Sequence, residues 1–156
     1  MAEYFRTRDS TVTIGSDTHQ DEIESDIELS GGEKAVNDHS NIDGSQFSIP
    51  GNIGAVNITF DFRSTDNVNI PDMVYGPETT GGSPIKHTLN WGGAGTPKLI
   101  TLHNVRATDG RILTVTLTDV TGISAPIKWM KGDIVIRTFN GIVDADNVLE
   151  ELTEGT

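Results

Sequence analysis

The sequence predicts an all-β protein, an antiparallel β-sandwich or half-barrel with long loops and at most one short helix. Thr, Val and Ile recur in alternating runs of the kind that favours strands. Roughly seven or eight such runs follow one another at intervals of about ten residues, a spacing typical of sandwiches and barrels. Gly, Asn and Asp separate the runs and supply the turns.

A single domain is expected, because 156 residues are enough to bury a core but few for two domains. Hydrophobic residues make up 35% of the chain and aromatic residues 6%, so the core should be thin and aliphatic. Around this domain we expect an acidic N-terminal arm (about 1–10), a long loop (about 30–54) and an acidic C-terminal tail (about 148–156).

The first half of the chain contains three predicted strands. Residues 11–14, 26–29 and 55–62 each alternate apolar and polar side chains. Ile23 and Ile27 are four residues apart, so one helical turn competes with the second strand. Between the second and third strands, residues 31–54 are polar and glycine-rich, which predicts a long loop or a loose hairpin. A loop of that length is usually functional or disordered, and we expect this one to order only against a neighbour.

The middle of the chain contains the one helix candidate. Pro71 lies where a helix begins and Gly76 where it ends, so residues 70–76 are predicted to form a single helical turn. Residues 78–84 are expected to form a loop and 85–91 a strand. The glycines of residues 92–95 precede Lys98 without the Gly-Lys-Ser/Thr ending of a phosphate loop, which favours a flexible connector.

The second half is predicted to be mostly strand. Residues 99–105 and 112–120 alternate on either side of the turn dipeptide Asp109-Gly110, which indicates an antiparallel hairpin. Residues 122–126 are predicted to form a turn, and 127–139 a strand interrupted at 131–133. Asn140-Gly141 is a second strong turn signal. Residues 142–152 should add one closing strand and a helical turn.

The charge is strongly acidic and unevenly placed. The net charge is −12, and residues 51–100 are nearly neutral with four acids and three bases. A chain of this charge is not expected to bind nucleic acid through a basic patch. Solvated acidic termini, a surface that must not retain DNA, and adaptation to high salt all remain open explanations; the last is suggested by only five Lys.

Targeting and redox signals are lacking in the sequence. There is no Cys, so disulfides and thiolate chemistry are excluded. The first residues lack the apolar stretch of a signal peptide, and no run approaches the ~18 apolar residues of a membrane span. We therefore expect a soluble protein that is made in the cytoplasm and does not bind a membrane.

Catalytic chemistry finds no support in the motifs. His19, His39, His87 and His103 have no metal-ligand spacing and are expected to be surface or strand residues. Residues 144–147 start like a calcium loop, but Leu149 replaces the glycine that such a loop needs. No nucleophile elbow is present. We predict no enzyme activity, no catalytic residue, no cofactor and no metal.

The order of these features resembles the tail tube protein (major tail protein) family of tailed bacterial or archaeal viruses. The chain has the size, acidity and lack of Cys of that family. An early strand leads through Ser30-Gly31-Gly32-Glu33 into a long polar stretch, followed by a strand, a short helix and paired strands. The segments that carry the resemblance are residues 26–29, 55–62, 70–76, 99–105, 112–120, 134–139 and 142–144.

The resemblance implies a structural virion protein of the viral tail, assembled in the host cytoplasm. Its copies would form stacked, hexameric rings, with the strands completed by ring oligomerisation, and viral DNA would pass through an acidic lumen without tight binding. Its partners would be copies of itself and other tail proteins. The long loop and the termini would contact neighbouring subunits, with the candidate contact residues Glu33, Lys34, Asn37, Asp38, His39, Asp43 and Phe47.

Three other functions compete with the tube. A capsid decoration protein, a tail terminator or an adaptor would also be a virion structural protein. A carbohydrate-binding β-sandwich would need coplanar exposed aromatics, for which Trp91 and Trp129 are the candidates. An enzyme of the β-sandwich or cupin kind would need clustered His ligands, which these spacings do not provide.

Overall fold

The computed structural model describes residues 10–40 and 42–154, with side chains except at 35–40 and 47–52. This part of the chain forms thirteen strands, one α-helix and one 3-10 turn. The strands are β1 (Ser10–Ile14), β2 (Asp17–Thr18), β3 (Glu28–Gly31), β4 (Lys34–Ser40), β5 (Gln46–Ile53), β6 (Val56–Arg63), β7 (Thr79–Gly81), β8 (Lys86–Thr88), β9 (Lys98–Val105), β10 (Ile112–Ser124), β11 (Ile127–Trp129), β12 (Val135–Val143) and β13 (Val148–Thr153). The helix α1 spans Asn69–Tyr75 and the 3-10 turn spans Ala145–Asn147.

Two antiparallel sheets share strand β10. The first sheet has the order β2–β1–β9–β10–β13. The second has the order β3–β6–β12, with the end of β10 and then β11 on the other edge of β12. β10 passes from one sheet to the other at an irregularity between Leu117 and Val120, where Asp119 has a left-handed φ of 58°. The predicted all-β fold with one short helix is confirmed.

The core lies between the inner faces of these sheets. Strict alternation along β6 buries Ile58, Phe60 and Phe62 and leaves the intervening polar side chains outside. The rings of Phe60 and Phe139, which pair across β6 and β12, have centroids 5.1 Å apart. α1 closes the core with Ile70, Met73, Val74 and Tyr75. The apolar stripe predicted for residues 55–62 therefore faces the core.

α1 begins and ends close to the predicted residues. Gly76 adopts φ 81° and donates its N–H to the carbonyl of Asp72 over 3.0 Å, which ends the helix. The glycines at 92–95 do not form the flexible connector that we predicted, because they pack against α1. A Cβ on Gly93 would lie 2.2 Å from the carbonyl oxygen of Tyr75, and one on Gly95 would lie 2.0 Å from that of Met73.

Replacing Gly95 with Ala should destabilise the fold by about 1–3 kcal/mol, because backbone must move to admit the methyl group. Gly81→Ala is the matched control, since nothing lies within 4 Å of its Cβ position. The free energies of unfolding in urea compare the two variants. If the two variants were equally stable, the backbone of residues 92–95 could move to admit the methyl group, and these residues would not hold the helix in place.

Two predicted turns in the second half are wrong. Asn140 and Gly141 lie inside β12, where Gly141 pairs with Ile58 and with Gly122. The ring of Phe139 covers Gly141, and a Cβ there would lie 2.7 Å from that ring. Gly122 in turn lies against the carbonyl of Met73. Both glycines serve close packing rather than chain reversal, so the strands continue through them.

The remaining segments agree with the predictions from the sequence to different degrees. The second strand forms at β3 rather than as a helical turn, and the hairpin at 99–120, the turn at 131–133 and the closing strand are confirmed. Residues 31–54 form the β4–β5 hairpin, the second of the two alternatives. The loop predicted at 78–84 is wrong, because β7 pairs with β8. Residues 148–153 of the predicted acidic tail form β13. Residues 1–9 of the predicted arm lie outside the described residues.

Candidate assembly surfaces

Two hairpins project from the sandwich. β4–β5 and β7–β8 each form a two-stranded sheet of their own, and no other described strand or helix packs extensively against either of them. Each has an exposed isoleucine near its tip: Ile42 is 109% exposed and Ile85 is 69% exposed. A two-stranded hairpin is marginally stable alone in water. The two hairpins are therefore candidates for contact with another subunit.

The predicted contact residues all lie on or beside the β4–β5 hairpin. Glu33 and Lys34 are exposed at its base. Asp43 is exposed at the tip, where its carboxylate accepts hydrogen bonds from Ser45 N at 2.9 Å and Ser45 Oγ at 2.7 Å. These bonds lower the pKa of Asp43. The other predicted residues occupy the paired strands, but their side chains lie outside the described part; they are Asn37, Asp38, His39 and Phe47.

β13 forms a free acidic edge of the first sheet. It pairs with β10 on one side, and no other described strand pairs with its other side. Glu150 and Glu151 are exposed on it, together with the apolar side chains of Leu149 and Leu152. Glu154, just beyond the strand, pairs with Arg111 at 3.0 Å. Glu150 and Glu151 form no such ion pair among the described residues.

β11 forms a free edge of the second sheet, with cationic and aromatic side chains. Trp129 is 80% exposed, and Lys128 and Lys131 are exposed beside it. Within the described chain neither lysine is paired with a carboxylate. Asp133 lies on the same turn, where its Oδ1 accepts the N–H of Ile134 at 2.7 Å. The edge therefore combines exposed apolar area with positive charge that has no carboxylate partner among the described residues.

The opposite edge of the first sheet is covered by its own chain. His19 N donates to the carbonyl of Val12 at 2.8 Å, and β2 pairs with the end of β1. His19, predicted to be a surface or strand residue, is instead only 1% exposed. Its Nε2 lies 2.9 Å from Asn69 Nδ2, and its Nδ1 lies 3.1 Å from Glu22. His19 thus joins the β2 region to α1, where it is structural.

The outer face of the first sheet is lined by hydroxyl groups. The strand register places threonines next to one another across β1, β9 and β10. Glu151 on β13 is the one acid in these rows of cross-strand neighbours. The threonines are Thr11, Thr13, Thr101, Thr114 and Thr116. His103 lies among them, with its Nδ1 3.2 Å from Thr114 Oγ1. This broad face has no lysine or arginine in its paired rows.

The second sheet buries an arginine. Arg137 lies on the inner face of β12 between Phe62 and Ile127 and is 7% exposed. Its Nε and Nη1 have no hydrogen-bond partner among the described residues. Burial lowers the pKa of Arg137. A buried charge without full pairing opposes folding.

Arg137→Met should therefore stabilise the isolated chain by about 1–3 kcal/mol, because methionine fills a similar volume without the desolvation cost of the charge. Urea denaturation measures this change, with Lys86→Met as the control at an exposed, unpaired cation on β8. A loss of stability specific to Arg137→Met would show that the guanidinium has a compensating partner.

The described residues do not form a cluster of metal-ligating side chains. No group of three or more His, Asp or Glu side chains among them is placed to hold a metal ion. His87 is exposed and pairs with Glu78 at 2.9 Å. Trp91 stacks on Tyr75 with centroids 5.2 Å apart, so one face of its ring is already covered. No described helix is both long enough and apolar enough to cross a bilayer.

A cleft of about 510 Å³ opens between β1, β9 and the segment that precedes β3. Apolar and polar residues line it in equal number. The apolar residues are Val12, Ile23, Ile27 and Leu102, and the polar residues are Ser10, Gln20, Ser25 and Asp26. These polar groups do not include a paired catalytic set, and the cleft continues the incompletely covered core. We assign no ligand to it.

Comparison with known proteins gives matches by structure alone. No family model and no curated protein sequence matches the chain. A chain in the structure of the anti-feeding prophage cap, the AFP tube terminating cap, matches with a TM-score of 0.66 and 14% identity. The match covers 98% of this chain and 94% of that one.

Two further matches come from an extracellular contractile injection system named PVC, in its extended state. A chain of its sheath-tube complex has a TM-score of 0.67 and 15% identity, over 96% of this chain and 93% of that one. A chain of its sheath/tube terminator has the same TM-score and identity, over 97% and 99%. The chain therefore has the fold of proteins found in tube, terminator and cap assemblies, and the predicted likeness to tail tube proteins is confirmed at the level of fold.

Proposed function

We propose that this protein is a non-enzymatic structural subunit of a virus-like tail, whose copies associate into stacked, hexameric rings that form the tail tube. The observation that carries the proposal is the nearly complete overlap with a chain of the sheath-tube complex, which covers 96% of this chain and 93% of that one.

The surfaces of the subunit support self-association. No other described strand or helix packs extensively against the β4–β5 and β7–β8 hairpins, and β11 and β13 each have one edge that pairs with no other described strand. Exposed strand edges attract further strands, and ring closure is one way to satisfy them. Association would order the hairpins and cover their isoleucines. Other tail proteins would contact the same kind of surface at the ends of the tube.

The charge of the subunit suits passage of DNA without retention. The threonine-lined face of the first sheet is a suitable lumen wall, because its paired rows contain no lysine or arginine that would hold phosphate. The predicted acidic lumen remains a prediction, since Glu151 is the one acid in those rows. In this proposal the protein is assembled in the host cytoplasm and becomes part of the virion tail.

A terminator or cap role is the second candidate. Two of the structural matches described above come from assemblies named as a terminating cap and a terminator. Such a subunit would form a single ring that does not stack on itself. The difference lies in the number of rings and not in the fold of the subunit.

Light scattering of the purified protein over a range of concentrations tests the proposal. A mass of six chains or a multiple of six is expected, together with no retention of double-stranded DNA in a gel shift at about 0.15 M salt. A mass that stops at one ring favours the terminator role. A monomer at every concentration, or tight DNA binding, would refute the proposed tube function.

A further inference from the structure

We propose that neighbouring subunits join head to tail through two different edges: the cationic β11 edge of one copy contacts the acidic β13 edge of the next. This inference rests on the proposed self-assembly and names its contact surfaces. The cationic edge is defined by Lys128, Trp129 and Lys131, and the acidic edge by Leu149, Glu150, Glu151 and Leu152.

Each edge lacks a partner within its own subunit. β11 pairs only with β12, and β13 pairs only with β10. Among the described strands β3 is also an end strand, which pairs only with β6, whereas β1 is covered by β2 and by the backbone of His19. A free strand edge exposes unpaired N–H and C=O groups, which favour the addition of another strand.

Charge decides which edges fit each other. Lys128 and Lys131 have no carboxylate partner among the described residues, and Glu150 and Glu151 have no cationic one. Most of the other described cations are already engaged: Arg63 with Glu24, Lys98 with Asp72, and Arg106 and Arg111 with Asp109. Opposite charges on facing rims guide association and set the register.

Apolar area accompanies the charges on both edges. Trp129 is exposed beside the lysines, and Leu149 and Leu152 are exposed beside the glutamates. An exposed tryptophan at a charged rim has the composition of an interface hot spot. A contact between two like edges would place lysine against lysine or glutamate against glutamate. The pairing is therefore between unlike edges, and such a heterologous contact produces a closed ring when its rotation closes.

Charge reversal tests this pairing in the full-length protein. One variant carries Lys128→Glu and Lys131→Glu, which makes both edges acidic. A second carries Glu150→Lys and Glu151→Lys, which makes both edges cationic. Each variant alone should self-associate at least about 100-fold more weakly than the wild type, because like charges then face each other. An equimolar mixture of the two should assemble again, since every contact in an alternating ring is then complementary. A single chain with all four changes should also assemble.

Controls separate the pairing from folding and from net charge. Asp66→Lys changes the charge at an exposed site that belongs to neither edge and to neither hairpin, and this variant should assemble like the wild type. Circular dichroism and the melting temperature check that each variant is folded. If the wild type assembles while both reversed variants assemble equally well, or while the mixture fails to recover, the pairing is overturned and the proposed function stands. A wild type that never assembles refutes both.

Discussion

Shortening the β4–β5 hairpin should leave a folded protein that no longer assembles. The base of the hairpin is narrow, because Gly54 N donates to the carbonyl of Glu33 at 2.9 Å and Gly32 N donates to that of Ala55 at 3.0 Å. Residues 34–53 can therefore be replaced by Asn-Gly, a dipeptide suited to a tight turn. No other described element packs extensively against the hairpin, so its removal should change the melting temperature by only a few degrees, about the effect of 1 kcal/mol or less.

The loss of assembly should be large, because the hairpin would otherwise lie against a neighbouring subunit. Light scattering measures it, and Ile42→Ser provides a graded comparison that removes only the apolar tip. A shortened protein that still assembles would show that the hairpin is not a subunit contact. A shortened protein that unfolds would show that the hairpin belongs to the fold of the single subunit, against the arrangement described above.

Replacing Phe139 with Ala should cost about 3–5 kcal/mol of folding free energy, the largest effect expected from a single side chain here. Phe139 is fully buried, its ring lies against Phe60, and it covers Gly141. Its removal leaves a cavity between the two sheets that the backbone of β12 cannot fill. Because small domains are only marginally stable, this loss is a large part of the total free energy of unfolding.

Ile136→Ala on the same strand is the control for Phe139→Ala. Ile136 points to the outer face and is half-buried, so its truncation should cost less than the truncation of Phe139. Urea unfolding of both variants gives the comparison. If the Ile136 variant lost as much stability as the Phe139 variant, the assignment of the inner face of β12 would be wrong.

Local patterns predicted the fold where burial and sequence period agree. Residues 55–62 alternate strictly, and the described strand β6 buries the apolar half of that alternation. Gly76 ends the helix with a left-handed φ of 81°, and Pro71, the third helical residue, fits the first turn, where its missing N–H would have no intrahelical partner. At these positions local propensity and tertiary packing require the same conformation.

Tertiary packing determines the backbone conformation at positions where the local sequence pattern does not. Asn140-Gly141 has the composition of a hairpin turn, yet Gly141 is required under the ring of Phe139 and the strand continues. The same is true of Gly93 and Gly95, whose lack of side chains lets the loop approach α1. The glycine signal is identical for a turn and for a close approach, and only the packed neighbour distinguishes them.

The candidate surfaces were only partly accessible to sequence reasoning. The polar stretch that became the β4–β5 hairpin stood out by composition. The edges at β11 and β13 depend on which strands remain unpaired, and pairing between β10 and β13 joins residues that are far apart in the chain. The burial of Arg137 depends in the same way on the sheet around it. The sequence signal for this burial was an arginine at a position of the alternating strand that faces the core.

Electron microscopy of the purified protein in negative stain tests the central claim most directly. We expect six-fold rings and, at higher concentration, tubes made of stacked rings with an open channel. Monomers without any ring, at high concentration and at high salt alike, would contradict it, and the likeness to tube and terminator proteins would then be one of fold without assembly.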